Sequence, residues 1–277
     1  MSLFVRLQHR LPQHGISRLA GRLASSRGRV RGPLVRAFAR AYGVDMAEAE
    51  RPDLASYTSF NDFFSRALAP SARPVDARPD SIASPADGVV SQTGLIERGE
   101  LIQAKGIRYP FATLADVCAG PGFEGGAFAT VYLSPKDYHR VHLPIAGRLV
   151  RTVAIPGKLF SVNTATEQGV EGLFAVNERL VMEFETAAGR MLVVMVGALI
   201  VASIETVWGG PPSPYRTKQV DLHDLAFDKG AEVGRFLLGS SVVLAFERGR
   251  AALDLAEGTV VRMGRAIGTS RAIGTGR

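Results

Sequence analysis

The sequence is poor in cysteine and in metal-binding patterns. Of its 277 residues only Cys118 is a cysteine, so no disulfide bond can form within the chain. This is compatible with a reducing compartment. No cluster of cysteines and histidines has the spacing that structural zinc sites require, and we therefore expect no metal site. The five histidines are His9, His14, His139, His142 and His223.

Long hydrophobic runs are also missing. The longest apolar run extends from Met191 to Ile204 and has 14 residues, whereas a transmembrane helix needs about 20. The run is rich in valine, which favours a buried strand, or two strands that meet near Gly197. The basic start of the chain is not followed by the unbroken apolar block of a secretory signal, so we expect no such signal.

Acidic residues are absent from the first 44 positions, which contain nine arginines; the first acidic residue is Asp45. The whole chain has 33 basic and 26 acidic residues, so the remaining 233 residues carry 24 basic and 26 acidic groups, a net charge of −2. The basic character therefore belongs to one end of the chain and not to the protein as a whole.

This basic end is amphipathic, because apolar residues recur in it at three- or four-residue spacing with arginines between them. Pro12 and Gly15 predict a division into two short helices. Arginine-flanked apolar helices suit an anionic membrane surface. Packing of the apolar face on the main domain is an equally good interpretation, and a mitochondrial presequence also has this composition. Nucleic-acid binding is less favoured, since nothing later resembles a base-reading module. The apolar residues are Leu3, Leu7, Leu11, Ile16, Leu19 and Leu23.

The pattern changes along the chain from helical to extended. Residues 1–70 are predicted to be helical, and Ser59 followed by Asp62 predicts a helix start within Ser59–Leu68. From Ile82 onward short apolar runs alternate with turns rich in Gly, Pro and Asp. We therefore predict an α+β fold: a single β-dominated catalytic domain over residues 71–264, preceded by the amphipathic helices. Residues 265–277 are Gly- and Arg-rich and are predicted to be a flexible tail.

The Gly239-Ser240 bond, which lies between two apolar runs, is a candidate for self-cleavage. Glycine accepts backbone angles that other residues do not, so the Ser240 hydroxyl could be held against the Gly239 carbonyl. Attack would move the acyl group from nitrogen to oxygen, and elimination of the ester would leave Ser240 as a pyruvoyl group. Gly-Ser-Ser is also common in ordinary loops, and the apolar residues that follow read equally well as a plain buried strand.

Two upstream segments carry the other groups that such chemistry needs. Ser84–Val90 contains Asp87 before a glycine, and Tyr132–Pro144 contains His139 and His142 three residues apart. A serine hydroxyl needs a base, and the base works better when a carboxylate orients it. Any protein of this size has an Asp, a His and a Ser, so only their convergence in space would be informative.

Taken together and in order, six segments make the chain resemble the bacterial phosphatidylserine decarboxylases in their membrane-associated proenzyme form, over nearly its whole length to about Met263. The segments are Ser84–Gly88, Tyr138–His142, Gly157–Asn163, Asn177–Arg179, Ile204–Trp208 and Phe236–Ser240.

The resemblance implies a role for each candidate residue. Asp87, His142 and Ser240 would form the self-cleavage triad, with His142 as the base on the Ser240 hydroxyl and Asp87 orienting it. Cleavage between Gly239 and Ser240 would make Ser240 the pyruvoyl cofactor, at which the amine of phosphatidylserine forms a Schiff base. His139 would act in the mature site, on substrate binding or decarboxylation.

The resemblance also implies the products and the place of action. The large β chain would be residues 1–239 and the small α chain residues 240–277, held together as a heterodimer, with a dimer of these left open. The enzyme would convert phosphatidylserine to phosphatidylethanolamine and CO2 as a peripheral protein on the cytoplasmic side of the cell membrane, with no nucleic-acid partner.

One residue departs from the family pattern. The family usually has threonine after the cleavage-site serine, and this chain has Ser241, which is therefore an alternative nucleophile.

Three other functions remain to be distinguished. A serine hydrolase would stay uncut, although the Gly-x-Ser-x-Gly elbow is missing. A non-enzymatic membrane or nucleic-acid binding protein would depend on the arginines, and a pyruvoyl enzyme for a soluble amino acid would not need the amphipathic end.

Overall fold

The apolar runs between residues 81 and 270 form a β-rich body, and short helices precede it, so the α+β prediction is confirmed. The computed structural model describes residues 5, 8, 11–28, 31–198, 204–237 and 240–273. The α-helices of this part of the chain are α1 (Gln13–Ser25), α2 (Arg31–Tyr42), α3 (Phe60–Phe64), α4 (Phe111–Ala115), α5 (Thr164–Glu167) and α6 (Leu173–Val176).

The strands are short in the outer sheets and longer in the central one. In chain order they are β1 (Ser81–Ala83), β2 (Gly88–Leu95), β3 (Glu100–Ile102), β4 (Arg108–Pro110), β5 (Ala127–Leu133), β6 (Arg140–His142), β7 (Gly147–Ile155), β8 (Arg179–Thr186), β9 (Gly189–Val196), β10 (Ile204–Thr206), β11 (Gln219–Phe227), β12 (Glu232–Phe236), β13 (Ser240–Phe246), β14 (Ala251–Leu253), β15 (Val260–Val261) and β16 (Ala266–Ser270).

An eight-stranded antiparallel sheet in the order β11-β7-β8-β9-β13-β5-β2-β15 forms the centre of the protein. Successive side chains of a strand point to opposite faces of a sheet. Apolar clusters cover both faces in the middle of this one. In β9, Val193 and Met195 pack in one apolar cluster while Val194 and Val196 pack in the other. The valine-rich run predicted to be a buried strand is thus confirmed for Gly189–Val196.

A smaller sheet in the order β10-β12-β6 brings together two segments that are far apart in sequence. Phe236, at the end of β12, lies four residues before Ser240, and β12 pairs with the strand that ends at His142. The other neighbour of β12 is β10, in which Ile204 pairs with Phe236. This sheet therefore brings the histidine segment to the predicted cleavage segment.

The predicted helix start at Ser59 is confirmed, since the Ser59 side chain accepts a hydrogen bond from the Asp62 backbone N–H. The helix is shorter than predicted and ends at Phe64. Its aromatic side chains pack edge-on against Phe38 of α2, at ring-centroid distances of 5.0 to 6.2 Å. A separate small aromatic core therefore holds the N-terminal helices together.

The N-terminal segment contacts the β-rich body and also leaves apolar side chains exposed. Val5 is buried in one of the two main apolar clusters. Gln8 and Gln13 accept hydrogen bonds from the backbone N–H groups of Ser161 and Leu159, each at 2.8 Å. On α1, by contrast, Leu19 and Leu23 are 61% and 63% exposed. Both core packing and an exposed apolar surface thus occur in this segment.

The predicted break in the N-terminal segment is only partly as expected. Helix α1 begins directly after Pro12, but Gly15 lies inside it and does not interrupt it. Leu3 and Leu7 lie outside the described residues. None of the helices in the described part of the chain has the length and apolar character needed to cross a membrane.

The prediction of a flexible tail from residue 265 is wrong for Ala266–Ser270. This segment is the middle strand of the sheet β1-β16-β14 and pairs with Ser81–Ala83 on one side and Ala251–Leu253 on the other. Backbone hydrogen bonds do not depend on side-chain type, so a Gly- and Arg-rich segment can complete a sheet when two strands offer free edges.

Candidate active site

Ser240 is the first residue of β13, a strand with neighbours on both sides. It pairs with Leu133 of β5, and the following residue, Ser241, pairs with both Tyr132 of β5 and Val196 of β9. Ser240 and Ser241 are fully buried, and neither hydroxyl has a hydrogen-bond partner in the part of the chain that the structure describes. Gly239, on the other side of the predicted cleavage site, lies outside the described residues.

Asp87 lies at the same end of the sheet as Ser240, because the next residue, Gly88, begins the strand β2. Tyr132 pairs with Val89 of β2 on one side and with Ser241 on the other, so Gly88 lies level with Ser240. Two strand spacings, about 10 Å, separate them. A Cβ at Gly88 would lie 2.2 Å from the carbonyl oxygen of Tyr132. Only glycine therefore lets the chain after Asp87 approach β5 this closely.

We expect Gly88→Ala to destabilise the fold by about 1–3 kcal/mol or more, because the added methyl group must push β2 away from the backbone of β5. Urea unfolding of a chain that also carries Ser240→Ala, and so stays in one piece, measures this. Gly21→Ala is the matched control, since a Cβ there meets nothing within 4 Å and alanine is a good helix former. Equal midpoints for the two variants would contradict the close approach.

The histidine segment reaches this end of the sheet by two backbone hydrogen bonds. The N–H of His142 donates to the carbonyl of Pro85, two residues before Asp87, at 2.8 Å. The N–H of Phe236 donates to the carbonyl of His139 at 2.9 Å. The structure thus places Asp87, His139, His142 and Ser240 at one end of the central sheet, which their spacing in sequence could not show.

The side chain of His142 is held by partners other than Asp87. Its Nδ1 lies 2.8 Å from the carbonyl oxygen of Gly230 and its Nε2 lies 3.0 Å from the hydroxyl of Tyr138. A carbonyl only accepts, so Nδ1 carries the proton and Nε2 accepts from Tyr138. Burial lowers the pKa of His142 below its usual value, although the Gly230 carbonyl and the nearby Glu232 and Asp87 oppose this shift. The ring is therefore neutral at pH 7 and has a basic Nε2.

His139 is fully buried and packs against Phe64 of α3, with ring centroids 4.0 Å apart. Its Nδ1 donates to the carbonyl of Asp137 at 2.9 Å, so its Nε2 has a free lone pair. Nε2 has no hydrogen-bond partner among the described residues. Burial lowers the pKa of His139 to about 3. This imidazole is thus a neutral acceptor throughout the physiological range.

Asp87 takes part in an ion network that sequence analysis did not find. Arg73 Nε donates to its two carboxylate oxygens at 2.9 and 3.1 Å, and the backbone N–H of Met263 donates at 2.8 Å. Arg73 also bonds Glu48, which in turn bonds Arg262. The hydrogen bond from His142 to Asp87 that a triad would use is not seen among the described residues, so the orienting role of Asp87 remains a prediction.

Sequence analysis missed three residues of the site, and only one of them stands in a segment that could have drawn attention to it. Tyr138 stands in the segment Tyr138–His142 and could have been singled out as a hydroxyl beside two histidines. Arg73 and Glu48 belong to none of the segments that carry the resemblance. Arg73 lies 14 positions from Asp87 and 25 from Glu48, and no local pattern predicts contacts over such separations.

The fold and the site define a class: a β-dominated α+β protein with a buried serine at the start of a central strand, and with two neutral histidines and a carboxylate in segments at the same end of the sheet. A family model described as Phosphatidylserine decarboxylase matches residues 60–269, and a second, described as PSD, matches residues 3–43. The chain belongs to the phosphatidylserine decarboxylase family.

Individual relatives agree with this over nearly the whole chain. The phosphatidylserine decarboxylase proenzyme of Acinetobacter baumannii (strain ACICU) is 48% identical over 273 residues, which cover 96% of each chain. The proenzyme of the same name from Azotobacter vinelandii is 50% identical over an alignment of 278 positions, which covers 96% of this chain and 97% of that protein. That of Ectopseudomonas mendocina is 47% identical over 281 residues.

Proposed function

We propose that this protein cleaves itself before Ser240, converts Ser240 into a pyruvoyl group, and then decarboxylates phosphatidylserine to phosphatidylethanolamine at a membrane surface. The observation that carries the proposal is the buried Ser240 hydroxyl, which starts a central strand in a chain of this family and has no partner among the described residues. Burying a hydroxyl without a hydrogen bond costs free energy, and such a cost is typical of a functional position.

The surroundings of Ser240 fit a buried carbonyl group. Several buried polar atoms near this end of the sheet have no hydrogen-bond partner among the described residues, including the hydroxyls of Ser240 and Ser241 and Nε2 of His139. Ser240 is fully buried at the start of a central strand, so a group formed from it lies away from bulk solvent. The pyruvoyl group supplies an electrophilic carbonyl that takes up the electrons left when CO2 departs.

Self-cleavage begins with Ser240. His142 Nε2 removes the hydroxyl proton, once Tyr138 releases that nitrogen, and Ser240 Oγ attacks the Gly239 carbonyl carbon. The amide nitrogen leaves as the amine of Ser240, giving an ester. Loss of the Ser240 Cα proton expels the Gly239 carboxylate, and hydrolysis of the resulting dehydroalanine releases ammonia. The products are the β chain (residues 1–239) and the α chain (residues 240–277).

The two chains stay together because of the position of β13. This strand keeps β5 and β9 as neighbours on both sides after the Gly239-Ser240 bond is cut. The α chain also contains β16, which pairs with β1 of the β chain. A heterodimer is therefore the expected product, and separation would require breaking the central sheet.

His139 acts on the substrate in the mature site. Its low pKa makes Nε2 a hydrogen-bond acceptor rather than a proton donor at pH 7. Its contact with Phe64 fixes the ring, so Nε2 is aimed without loss of side-chain entropy on binding. In this proposal, His139 Nε2 accepts a hydrogen bond from a donor group of the substrate and so orients that group during loss of CO2.

The protein acts as a peripheral membrane protein on the cytoplasmic side. The support for membrane contact is the exposure of Leu19 and Leu23 on α1, together with the arginines of that helix and of α2, which lie in a segment without acidic residues. An apolar face flanked by arginines binds an anionic lipid surface by burial and by charge.

We expect the double substitution Leu19→Glu and Leu23→Glu to weaken binding to phosphatidylglycerol-containing vesicles by at least about tenfold, because two leucines no longer leave water and two negative charges are added. Co-sedimentation with vesicles measures it, and self-cleavage should continue. The control is Leu222→Glu, which changes a 76% exposed leucine on the edge strand β11. Equal losses for both variants would contradict membrane contact by α1.

Intact-protein mass spectrometry, with and without a carbonyl-reactive amine, tests the whole proposal. We expect two chains divided after Gly239, of which the smaller carries a pyruvoyl mass and reacts with the amine. The same preparation should release CO2 from phosphatidylserine vesicles. A single unmodified chain in an active preparation would overturn the proposal and favour a serine hydrolase.

A further inference from the structure

Arg66 is a buried cation without a carboxylate partner among the described residues. It is only 4% exposed, and its Nη2 donates a hydrogen bond to the backbone carbonyl of Lys136 at 3.1 Å. Its Nε is buried without a hydrogen-bond partner in the described part of the chain. Burial lowers the pKa of Arg66, and the nearby Asp87 and Asp137 oppose this shift.

The two nearby carboxylates are committed to other donors. Asp87 accepts from Arg73 and from the backbone N–H of Met263. Asp137 Oδ2 accepts from the backbone N–H and the hydroxyl of Ser134, each at 2.7 Å. Leaving a buried charge uncompensated costs free energy. An anion bound beside Arg66 would remove this cost.

A cavity with space for such an anion adjoins Arg66. It has a volume of about 300 Å³ and lies between the N-terminal helical segment and the turn that follows β5. Lys136 lies on its wall, is exposed, and forms no ion pair with any described residue. Arg73 and Arg262 also line it, but Glu48 and Asp87 neutralise them. Two cations, Arg66 and Lys136, therefore remain available.

The cavity adjoins the proposed catalytic groups. Tyr138, which donates to His142, lies on its wall beside Asp87 and Gly88. Phe64, two residues before Arg66, packs on His139. The other side of the cavity is formed by Gly43 and Asp45, directly after α2 of the basic N-terminal end. It thus lies between the segment proposed to contact the membrane and the proposed site of chemistry.

We propose that Arg66 and Lys136 bind the phosphodiester of the substrate headgroup. This inference rests on the proposed function. A guanidinium and an ammonium group together suit an oxyanion, and arginine presents its donors in the planar fork that phosphate oxygens match. With the phosphodiester held here, the serine part of the headgroup extends toward Tyr138 and His139, and the glycerol part toward the N-terminal segment.

Direct binding tests the inference without the decarboxylation reaction. The full chain with Ser240→Ala, which stays uncleaved, is titrated with sn-glycero-3-phospho-L-serine by calorimetry. We expect Arg66→Gln to weaken binding at least about tenfold and Lys136→Gln about threefold or more, as loss of charge-assisted hydrogen bonds requires. L-Serine, which has the amine and carboxylate but no phosphodiester, should bind equally to all three chains.

The control is Lys105→Gln, which removes the same charge from an exposed lysine in the turn between β3 and β4. It should leave the affinity unchanged. Should Arg66→Gln fail to fold, as its thermal unfolding would reveal, Lys136→Gln decides: an affinity equal to that of Lys105→Gln overturns the inference. Inorganic phosphate that binds as tightly as the glycerophosphodiester, with the same dependence on Arg66, would assign the cavity to free phosphate and also overturn it.

Kinetics of the mature enzyme separate this inference from the proposed function. With phosphatidylserine vesicles, Lys136→Gln should raise KM several-fold and leave kcat nearly unchanged, the result expected for loss of ground-state binding. An active wild-type enzyme with an unchanged KM in this variant would contradict the headgroup site alone. A wild-type chain that releases no CO2 would contradict the proposed function.

Discussion

Ser240→Ala should leave the chain as a single species of 277 residues that releases no CO2. Without the hydroxyl no atom of residue 240 can attack the Gly239 carbonyl, and without cleavage no pyruvoyl carbonyl forms. The expected loss of decarboxylation is at least about 10³-fold, since the cofactor itself is missing and not merely misplaced. Denaturing electrophoresis and mass spectrometry report the chain, and CO2 release reports activity.

The matched control is Ser241→Ala, because the two serines are adjacent, equally buried and equally without a hydroxyl partner among the described residues. This variant should still be cleaved before residue 240. Side chains of adjacent strand residues point to opposite faces of the sheet, so only one of the two hydroxyls can face the histidines. Cleavage of Ser240→Ala together with an intact Ser241→Ala chain would identify Ser241 as the nucleophile.

The two histidines should separate cleavage from decarboxylation. We expect His142→Ala to slow self-cleavage by about 10²-fold or more, the usual effect of losing a general base. His139→Ala should still be cleaved, but the resulting two-chain enzyme should lose decarboxylation by a similar factor. Time courses of the cleaved chain and of CO2 release measure the two steps separately.

His223→Ala provides the control for these variants, because His223 lies on β11 with its Nε2 2.8 Å from Thr152 Oγ1, away from the proposed site. It should leave both steps unchanged. Normal cleavage of His142→Ala would show that another group serves Ser240 as base. A fully active His139→Ala enzyme would remove His139 from the mature site.

Self-cleavage should also resist mild acid. A base acts in its neutral form, and burial lowers the pKa of His142, so protonation removes the base only at a pH below the usual histidine value. A histidine with the usual pKa would be about half protonated at pH 6.5. We therefore expect the cleavage rate to fall less than twofold from pH 7.5 to pH 6.5, after synthesis in a cell-free system and transfer to each buffer. A twofold drop at pH 6.5 would contradict a lowered pKa.

Local patterns predicted the elements whose stabilising contacts are local. The cap of α3 joins residues three apart, and the valine-rich β9 is stabilised by burial that its own composition demands. Helix α1 follows from the spacing of its apolar residues in the same way, whereas the exposure of Leu19 and Leu23 was seen only in the structure. The segment 266–270 was mispredicted, because its strand depends on partners near residues 81 and 251 and not on its own composition.

The amino-acid sequence by itself determined the class of fold, the family, and which serine, histidines and carboxylate to consider. Only the tertiary structure decided that the segments carrying these residues lie at one end of the central sheet. It also decided that Arg73 and not His142 holds Asp87, and that Tyr138 holds His142. The reason is physical. The strand pairing and the Arg73–Asp87 ion pair join separate parts of the chain, and the register of the pairing is set by packing of the whole sheet. Tyr138 and His142 are only four residues apart, but their contact depends on the backbone conformation of the segment between them.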